Sequence, residues 1–344
     1  MSTRVEPAAP LGVSVGAADP VEETKARGQW ELAWLRFRKD KIAVASLGFI
    51  VFLFLAAFAG APLAAHLVGH GPNDQFGHAL SDLQVPVGPW THVDTTPYTG
   101  APGHYGKELF VLGGDGPIGR DLFLRMLYGA RTSLYVAVLA TLGSVLLGVI
   151  MGLLAGYMRG WVDTLVSRLI EIVMVFPFLI FIIALRIVAG DSLNGITLGF
   201  LPHGVFTLVL IFSAFGWFYP ARIMRGVVFS LREKEFIEAA RMTGASDLRI
   251  MRSHLMPHLV GPIVVYSSLI IATNVIGEAG LSFLGLGIDQ PTASWGNILA
   301  AAPDYYIVAP FLMLWPGLAI LLTTLAFNML GDGLRDAIDP RARV

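Results

Sequence analysis

Six stretches of this chain are apolar for long enough to cross a lipid bilayer, and no other feature restricts its fold as strongly. A span takes about 20 mainly apolar residues. Runs near that length lie at Ile42–Leu67, Ser133–Gly156, Leu169–Val188, Val205–Ala221, Leu259–Phe283 and Val308–Leu330. Hydrocarbon offers no partner to backbone N–H and C=O groups, so each run must satisfy its own, which a helix does. The expectation is an all-α polytopic membrane protein with six transmembrane helices. Composition agrees, with 55% hydrophobic and 14% charged residues and a mean hydropathy of +0.66, where soluble domains carry about 25% charged residues. A net charge of −1 argues against a nucleic-acid partner. The absence of cysteine excludes disulfides, thiolate metal sites and cysteine nucleophiles.

Lysine and arginine set the orientation. Seven precede the first run, two lie between the second and third, seven fall in 222–252 and three follow the sixth. The segments 189–204 and 284–307 hold none. Both termini and the central loop are therefore expected in the cytoplasm. The chain then divides into a disordered tail (1–28), an amphipathic interfacial helix (29–41) and a first transmembrane helix (42–67). An extracytoplasmic loop with a surface helix (68–131), a five-helix core (132–330) and a cytoplasmic C-terminal tail (331–344) follow. Residues 1–28 contain no apolar signal region, so the first span is expected to act as an uncleaved insertion signal. In 29–41, Trp30, Ala33, Trp34 and Phe37 share one helical side, with Arg36, Arg38 and Lys39 at polar positions.

The central loop is too organised to be a plain connector. In SLREKEFIEAARMTGASDLRIMRSHLMPH, Ser230 and Glu233 form an S-x-x-E pattern, predicting a helix start there that buries Phe236, Ile237 and Ala240. Gly244 is placed to end that helix in a left-handed turn, Ser246 or Asp247 to cap the next, and Pro257 to limit how it joins the following span. Near 119–134, Leu122, Phe123, Met126 and Leu127 share a face opposite Asp121 and Arg125, predicting a helix on the outer surface. Histidines 66, 70, 78, 92 and 104 cluster in or beside the outer loop. Only His66 and His70 have i,i+4 spacing, so they read as ordinary loop histidines and no metal site is expected.

Glu238-Ala239-Ala240, Gly244 and Pro257 resemble the EAA loop of ABC-importer permeases. The stretch EAARMTGASDLRIMRSHLMPH looks like the C-type subunit of the dipeptide, oligopeptide and nickel importers, with Met256 and His258 as mild departures. The run 112–121 resembles an LGTDxxGRD element, with Gly for Thr and one extra residue. The segments 278–287, 291–296 and 328–341 extend the likeness. It implies a MetI-like permease fold in the bacterial inner membrane. It also implies a second homologous permease, two ABC ATPases that carry ATP and Mg, and an external binding protein that delivers peptides or, alternatively, nickel or another solute. Coupling to the ATPases then falls to Glu238, Ala239, Ala240, Gly244, Asp247 and Pro257.

The chain itself shows no ATP site. Its one Gly-Lys pair, Gly106-Lys107, lacks both the upstream glycine and the following Ser or Thr of a P-loop. No catalytic constellation and no cofactor are expected. Ionisable or polar groups inside spans are pathway candidates because burying them in lipid is costly: Glu171, Arg186, Asn274 and Glu278. The same groups would form the relay of an ion-coupled secondary transporter, the competing reading. Such proteins usually have inverted repeats and broken midplane helices, and neither is legible here. A purely structural membrane scaffold is a third reading, disfavoured by the charges inside the spans.

Overall fold

The computed structural model describes residues 28–95, 106–189 and 204–339. Most of the expected tail, His104 and the side chains of Trp30 and Arg186 lie outside the described residues. The long elements are helices: α1 (Gln29–Phe37), α2 (Lys41–Val68), α3 (Leu122–Met158), α4 (Trp161–Val175), α5 (Phe178–Ala189), α6 (Val205–Leu231), α7 (Glu235–Met242), α8 (Asp247–Phe283), α9 (Trp295–Leu299) and α10 (Phe311–Ile338). Among the described residues, α2, α3, α6, α8 and α10 are long and apolar enough to cross a membrane, and α4 with α5 makes a sixth span if the pair is counted as one.

That pair corrects the expectation of a straight third span. The chain bends by 78° between α4 and α5, at Phe176 and Pro177. A proline has no N–H to donate and disfavours helical geometry in the residue before it. Phe176 is accordingly extended, with ψ 128°. One broken helix is therefore present where the sequence suggested none.

Elsewhere prolines are absorbed without a break. In α2 a π turn over Ala56–Gly60 ends two residues before Pro62, and in α8 a π turn over Ile250–Leu255 ends two residues before Pro257. Widening the ladder relieves the clash between a proline ring and the preceding turn's carbonyl, so the helix continues. The expected second short helix and the fifth span both belong to α8, and Pro257 shapes their join through the π turn before it.

The centre of the bundle is α3, about 55 Å long at 1.5 Å per residue. Its packed sides and its exposed side, which carries Leu142, Leu146 and Ile150, are both apolar, which is why it shows no amphipathic stripe. Glycines 148, 152 and 156 face α6 so closely that a Cβ on Gly152 would sit 2.6 Å from the Ala221 carbonyl oxygen. Small residues at four-residue spacing let two backbones approach in lipid. The expected surface helix before span two is the first part of α3, continuous with the span. Asp121 and Arg125, assigned there to a polar outer face, are buried at 2% and 0% exposure. Two further boundaries move: α10 continues through 331–338, with Ala43 of α2 packed against Gly333, and α1 ends at Phe37.

At one end of the bundle, residues 69–121 carry two small antiparallel pairs: β1 (Thr91–Asp94) with β2 (Lys107–Phe110), and β3 (Gly114–Asp115) with β4 (Arg120–Asp121). At the other end lie α7, the start of α8 and both described chain ends, where Arg36 donates to the Asp339 carbonyl.

Candidate functional site

The expected coupling loop forms a protrusion built from α7 and the first turns of α8. Its start is corrected: Ser230 belongs to α6, where its hydroxyl donates to the Val227 carbonyl, and α7 begins only at Glu235, after Lys234. Ile237 and Ala240 are buried and Phe236 is exposed, its ring 5.4 Å from that of His258. Gly244 adopts φ +79° and closes α7, with Ala245 N donating to the Ala240 carbonyl and Gly244 N to the Arg241 carbonyl. No atom lies within 4 Å of a Cβ built there, so glycine is required by the backbone conformation alone.

Glu238 and Ala239 face solvent, whereas Ala240 packs into the chain's own core. Ser246 sits at the N-cap of α8 without a capping side-chain bond. The Asp247 carboxylate accepts the Tyr157 hydroxyl at 2.6 Å, which ties the first turn of α8 to the end of α3. Pro257 is exposed beyond the π turn.

Two contacts fasten this protrusion to α3. The first is Tyr157 to Asp247, with the Arg241 guanidinium 5.5 Å from the centre of the Tyr157 ring. The second is the buried Arg232, whose Nη1 donates to the carbonyls of Gly156 at 2.9 Å and Tyr157 at 3.2 Å. The last carbonyls of a helix have no partners within it, and a guanidinium there satisfies them and complements the helix dipole.

Of the intramembrane candidates, Glu171, Asn274 and Glu278 have described side chains, and Glu171 lies apart from the other two. Glu171 pairs with Arg168 at 2.6 Å, both side chains more than half exposed. Glu278 is fully enclosed: its two carboxylate oxygens accept from the hydroxyls of Ser133 on α3 and Ser282 on α8, each at 2.7 Å. Ser282 accepts in turn from Ile288 N. Glu278 thus joins helices within this chain and presents no surface in this structure. Asn274 donates to Thr141 at 3.0 Å and borders an open apolar cavity of about 600 Å³. Phe176, Phe178, Phe212, Phe215 and Tyr219 line that cavity beside the break at Pro177.

Residues 144–344 match the family model described as the inner membrane component of binding-protein-dependent transport systems. Residues 28–86 match the N-terminal transmembrane domain of oligopeptide transport permease C. The chain is 38% identical over 324 residues to the oligopeptide transport system permease protein OppC of Salmonella typhimurium, covering 93% of this chain and 94% of that one. It is 34% identical over 330 residues to the glutathione transport system permease protein GsiD of Escherichia coli, covering 96% of each. The fold resembles that of a chain in the inward-facing MetNI methionine ABC transporter, with a TM-score of 0.50 at 18% identity over 63% of this chain and 98% of that one.

The chain belongs to the binding-protein-dependent transport permeases. It is an inner-membrane protein homologous to the permease subunits of ABC importers, and it has the MetI-like fold.

In this permease the sequence left several residues unassigned. Met242 and Leu248 flank Gly244 at 84% and 71% exposure, large apolar side chains on an otherwise polar protrusion. That mismatch was visible in the sequence, but their exposure was not. Tyr157 and Arg232 carried no signal, because each pairs with a segment remote in the chain.

At the opposite end of the permease, the GRD element makes a buried ion cluster. Arg120 Nη2 lies 3.1 Å from Asp115, and Arg125 Nε pairs with the same carboxylate. Arg125 also donates to the Pro291 carbonyl at 3.2 Å and to Asn73 at 3.0 Å. Asp121 caps α3 by accepting from Phe123 N at 2.8 Å. His70 Nε2 lies 3.0 Å from Glu108 and 3.7 Å from Asp121, packed against Phe76. Burial raises both carboxyls above their ordinary values, opposed by His70 and, for Asp121, by the capped amides. Among the described residues no group of three or more such side chains is arranged to hold a metal.

Proposed function

We propose that this permease is one of two homologous membrane subunits of an ATP-driven peptide importer, and that its Gly244 protrusion is where an ABC ATPase docks. The observation that carries this reading is the pairing of exposure with anchorage. Met242, Leu248 and Glu238 face outward, while Arg232 and Tyr157 fasten the same segment to the helix at the centre of the bundle. A docking face needs exposed apolar anchors rimmed by polar groups. A lever needs a rigid joint to the element it moves.

In this reading the protrusion and both chain ends lie in the cytoplasm, where the clustered arginines and lysines would place them. ATP and Mg are bound by two ATPase subunits, and this chain supplies no ATPase site of its own. ATPase closure displaces the α7–α8 turn, α3 follows as a rigid body, and the spans around the Phe176–Pro177 break reorient. The apolar cavity beside that break lies on the translocation side, where the second permease completes the pathway. An external binding protein delivers the peptide at the end that carries residues 69–121. The relatives' names, oligopeptide and glutathione permeases, support a short peptide as cargo.

Purification in mild detergent from the native membrane tests the reading. It expects a second permease and P-loop ATPases to be retained. Replacing both Met242 and Leu248 with Ser should weaken ATPase retention about tenfold, equivalent to about 1.4 kcal/mol, with the permease pair intact. ATP-independent transport by the chain alone would overturn it.

A further inference from the structure

At the end of the permease opposite the Gly244 protrusion lies a cavity of about 490 Å³, bounded by the segments that follow α2, precede α3 and follow α8. Its lining includes Asn73, Asp115, Arg120, Gln290 and Asn297 together with the apolar Pro117 and Ile118. Four observations define its chemistry. Two guanidinium groups, Arg120 and Arg125, converge on one carboxylate, Asp115. Arg120 spends one donor on Asp115 and one on Gln290 Oε1 at 2.9 Å, out of the five a guanidinium carries.

Third, the amide oxygen of Gln290 accepts from both arginines, and that of Asn73 accepts from Arg125. With their oxygens committed to the cations, both amides are left with N–H groups as their remaining capacity. Arg120 and the two amide N–H groups thus give one wall donors beyond those that Asp115 takes up, and a ligand there must bring acceptors. Fourth, Pro117, Ile118 and Ala301 give the cavity an apolar side, which suits a ligand with an organic body better than a bare inorganic anion. Planar carboxylates match the guanidinium fork, and a low-dielectric recess strengthens the attraction.

We propose that this cavity binds the C-terminal carboxylate of a short peptide, holding it against Arg120 with the peptide's body over Pro117 and Ile118. The inference rests on the peptide reading above and adds a substrate-recognition site on the permease itself.

The test uses the full chain with its co-purified partners in nanodiscs, without any binding protein. Trialanine and trialanine amide are compared by ligand-detected saturation-transfer NMR. The free acid is expected to bind at least tenfold more tightly than the amide. Gln290→Glu places a carboxylate of the protein's own beside Arg120 and should bring acid binding down to the level of the amide. Ile118→Trp, at the exposed rim, should reduce both by filling the space. Unchanged thermal transitions would show that both variants are folded. Equal binding of acid and amide, no binding of either, or wild-type acid binding by Gln290→Glu would each overturn the proposal. ATP-driven uptake with the binding protein present is measured in parallel. Intact uptake without an acid preference removes this site alone, whereas loss of ATP-driven uptake in the wild type removes the importer reading beneath it.

Discussion

The Tyr157 hydroxyl donates to the Asp247 carboxylate across 2.6 Å, joining the last turn of the central helix α3 to the first turn of α8 just beyond Gly244. Ninety positions separate the two residues in the chain. The bond sits beside the Arg232 cap, so the protrusion and the central helix share two side-chain joints. Under the proposed docking, a force applied at the turn would reach α3 through these hydrogen bonds rather than through a flexible linker.

Tyr157→Phe removes one joint and leaves the ring under Arg241. A single hydrogen bond contributes about 0.5–1.5 kcal/mol net, so the variant should insert and remain folded. Coupling should suffer instead, with more ATP hydrolysed per peptide imported in proteoliposomes. An unchanged stoichiometry would show that Arg232 alone carries the joint.

Gly244 needs its backbone conformation and has open space around it, so the two requirements separate experimentally. Gly244→Val is strained at φ +79° and should abolish ATP-driven uptake while the protein still inserts. Gly244→Asn, a residue that enters the left-handed region more readily, should retain a measurable fraction. Normal uptake by the Val variant would remove the turn from the coupling mechanism.

Glu278 distinguishes a structural knot from a proton relay. Glu278→Gln keeps one acceptor for the serines and should preserve transport. Glu278→Ala orphans Ser133 and Ser282, at about 1–3 kcal/mol for each unsatisfied group, and should lower the melting temperature. Loss of transport in the Gln variant at wild-type stability would reinstate Glu278 as a participant in the pathway.

Glu108 and Asp121 predict that the loop between α2 and α3 is sensitive to pH. Their carboxyls have ordinary values of 4.5 and 3.8 and are raised by burial in the folded loop. A carboxyl raised on folding contributes stability that is complete below the ordinary value and is lost as pH rises through the shifted one. Amides of Lys107–Phe110 should therefore exchange more slowly, relative to intrinsic rates, as pH falls from neutrality towards those values. Asp121→Asn keeps a capping oxygen and should flatten the profile. Protection independent of pH in the wild type would refute the linkage.

Much of this was legible in the sequence because lipid makes strict local demands. The apolar runs gave the spans, since a segment in hydrocarbon must satisfy its own backbone groups whatever its neighbours do. Gly244 was legible because a left-handed helix stop is a property of a few consecutive residues. Glu238, Ala239 and Ala240 were readable as a motif and Ala240 as a buried position, but not the outward turn of Phe236, because exposure depends on what packs beside the helix.

What only the tertiary structure decided involves partners far apart in the chain. Whether Pro62, Pro177 and Pro257 break a helix or are absorbed depends on the packing around each, and only Pro177 accompanies a sharp bend. Asp121 and Arg125 looked like a solvated face, yet they are buried: Asp115, Asn73 and Pro291 arrive from other segments to satisfy Arg125, and Asp121 accepts the first amides of α3 beside His70. For Glu278 the sequence left open a pathway group or a tie between helices, and only the fold brings Ser133, remote in sequence, against it. The sequence by itself determined the helices and their lipid-crossing character, which are local free energies of backbone and side chain in hydrocarbon. Which polar groups are spent within the chain and which remain free to act was decided by tertiary packing, because a hydrogen bond needs both partners and only the fold brings the second one near.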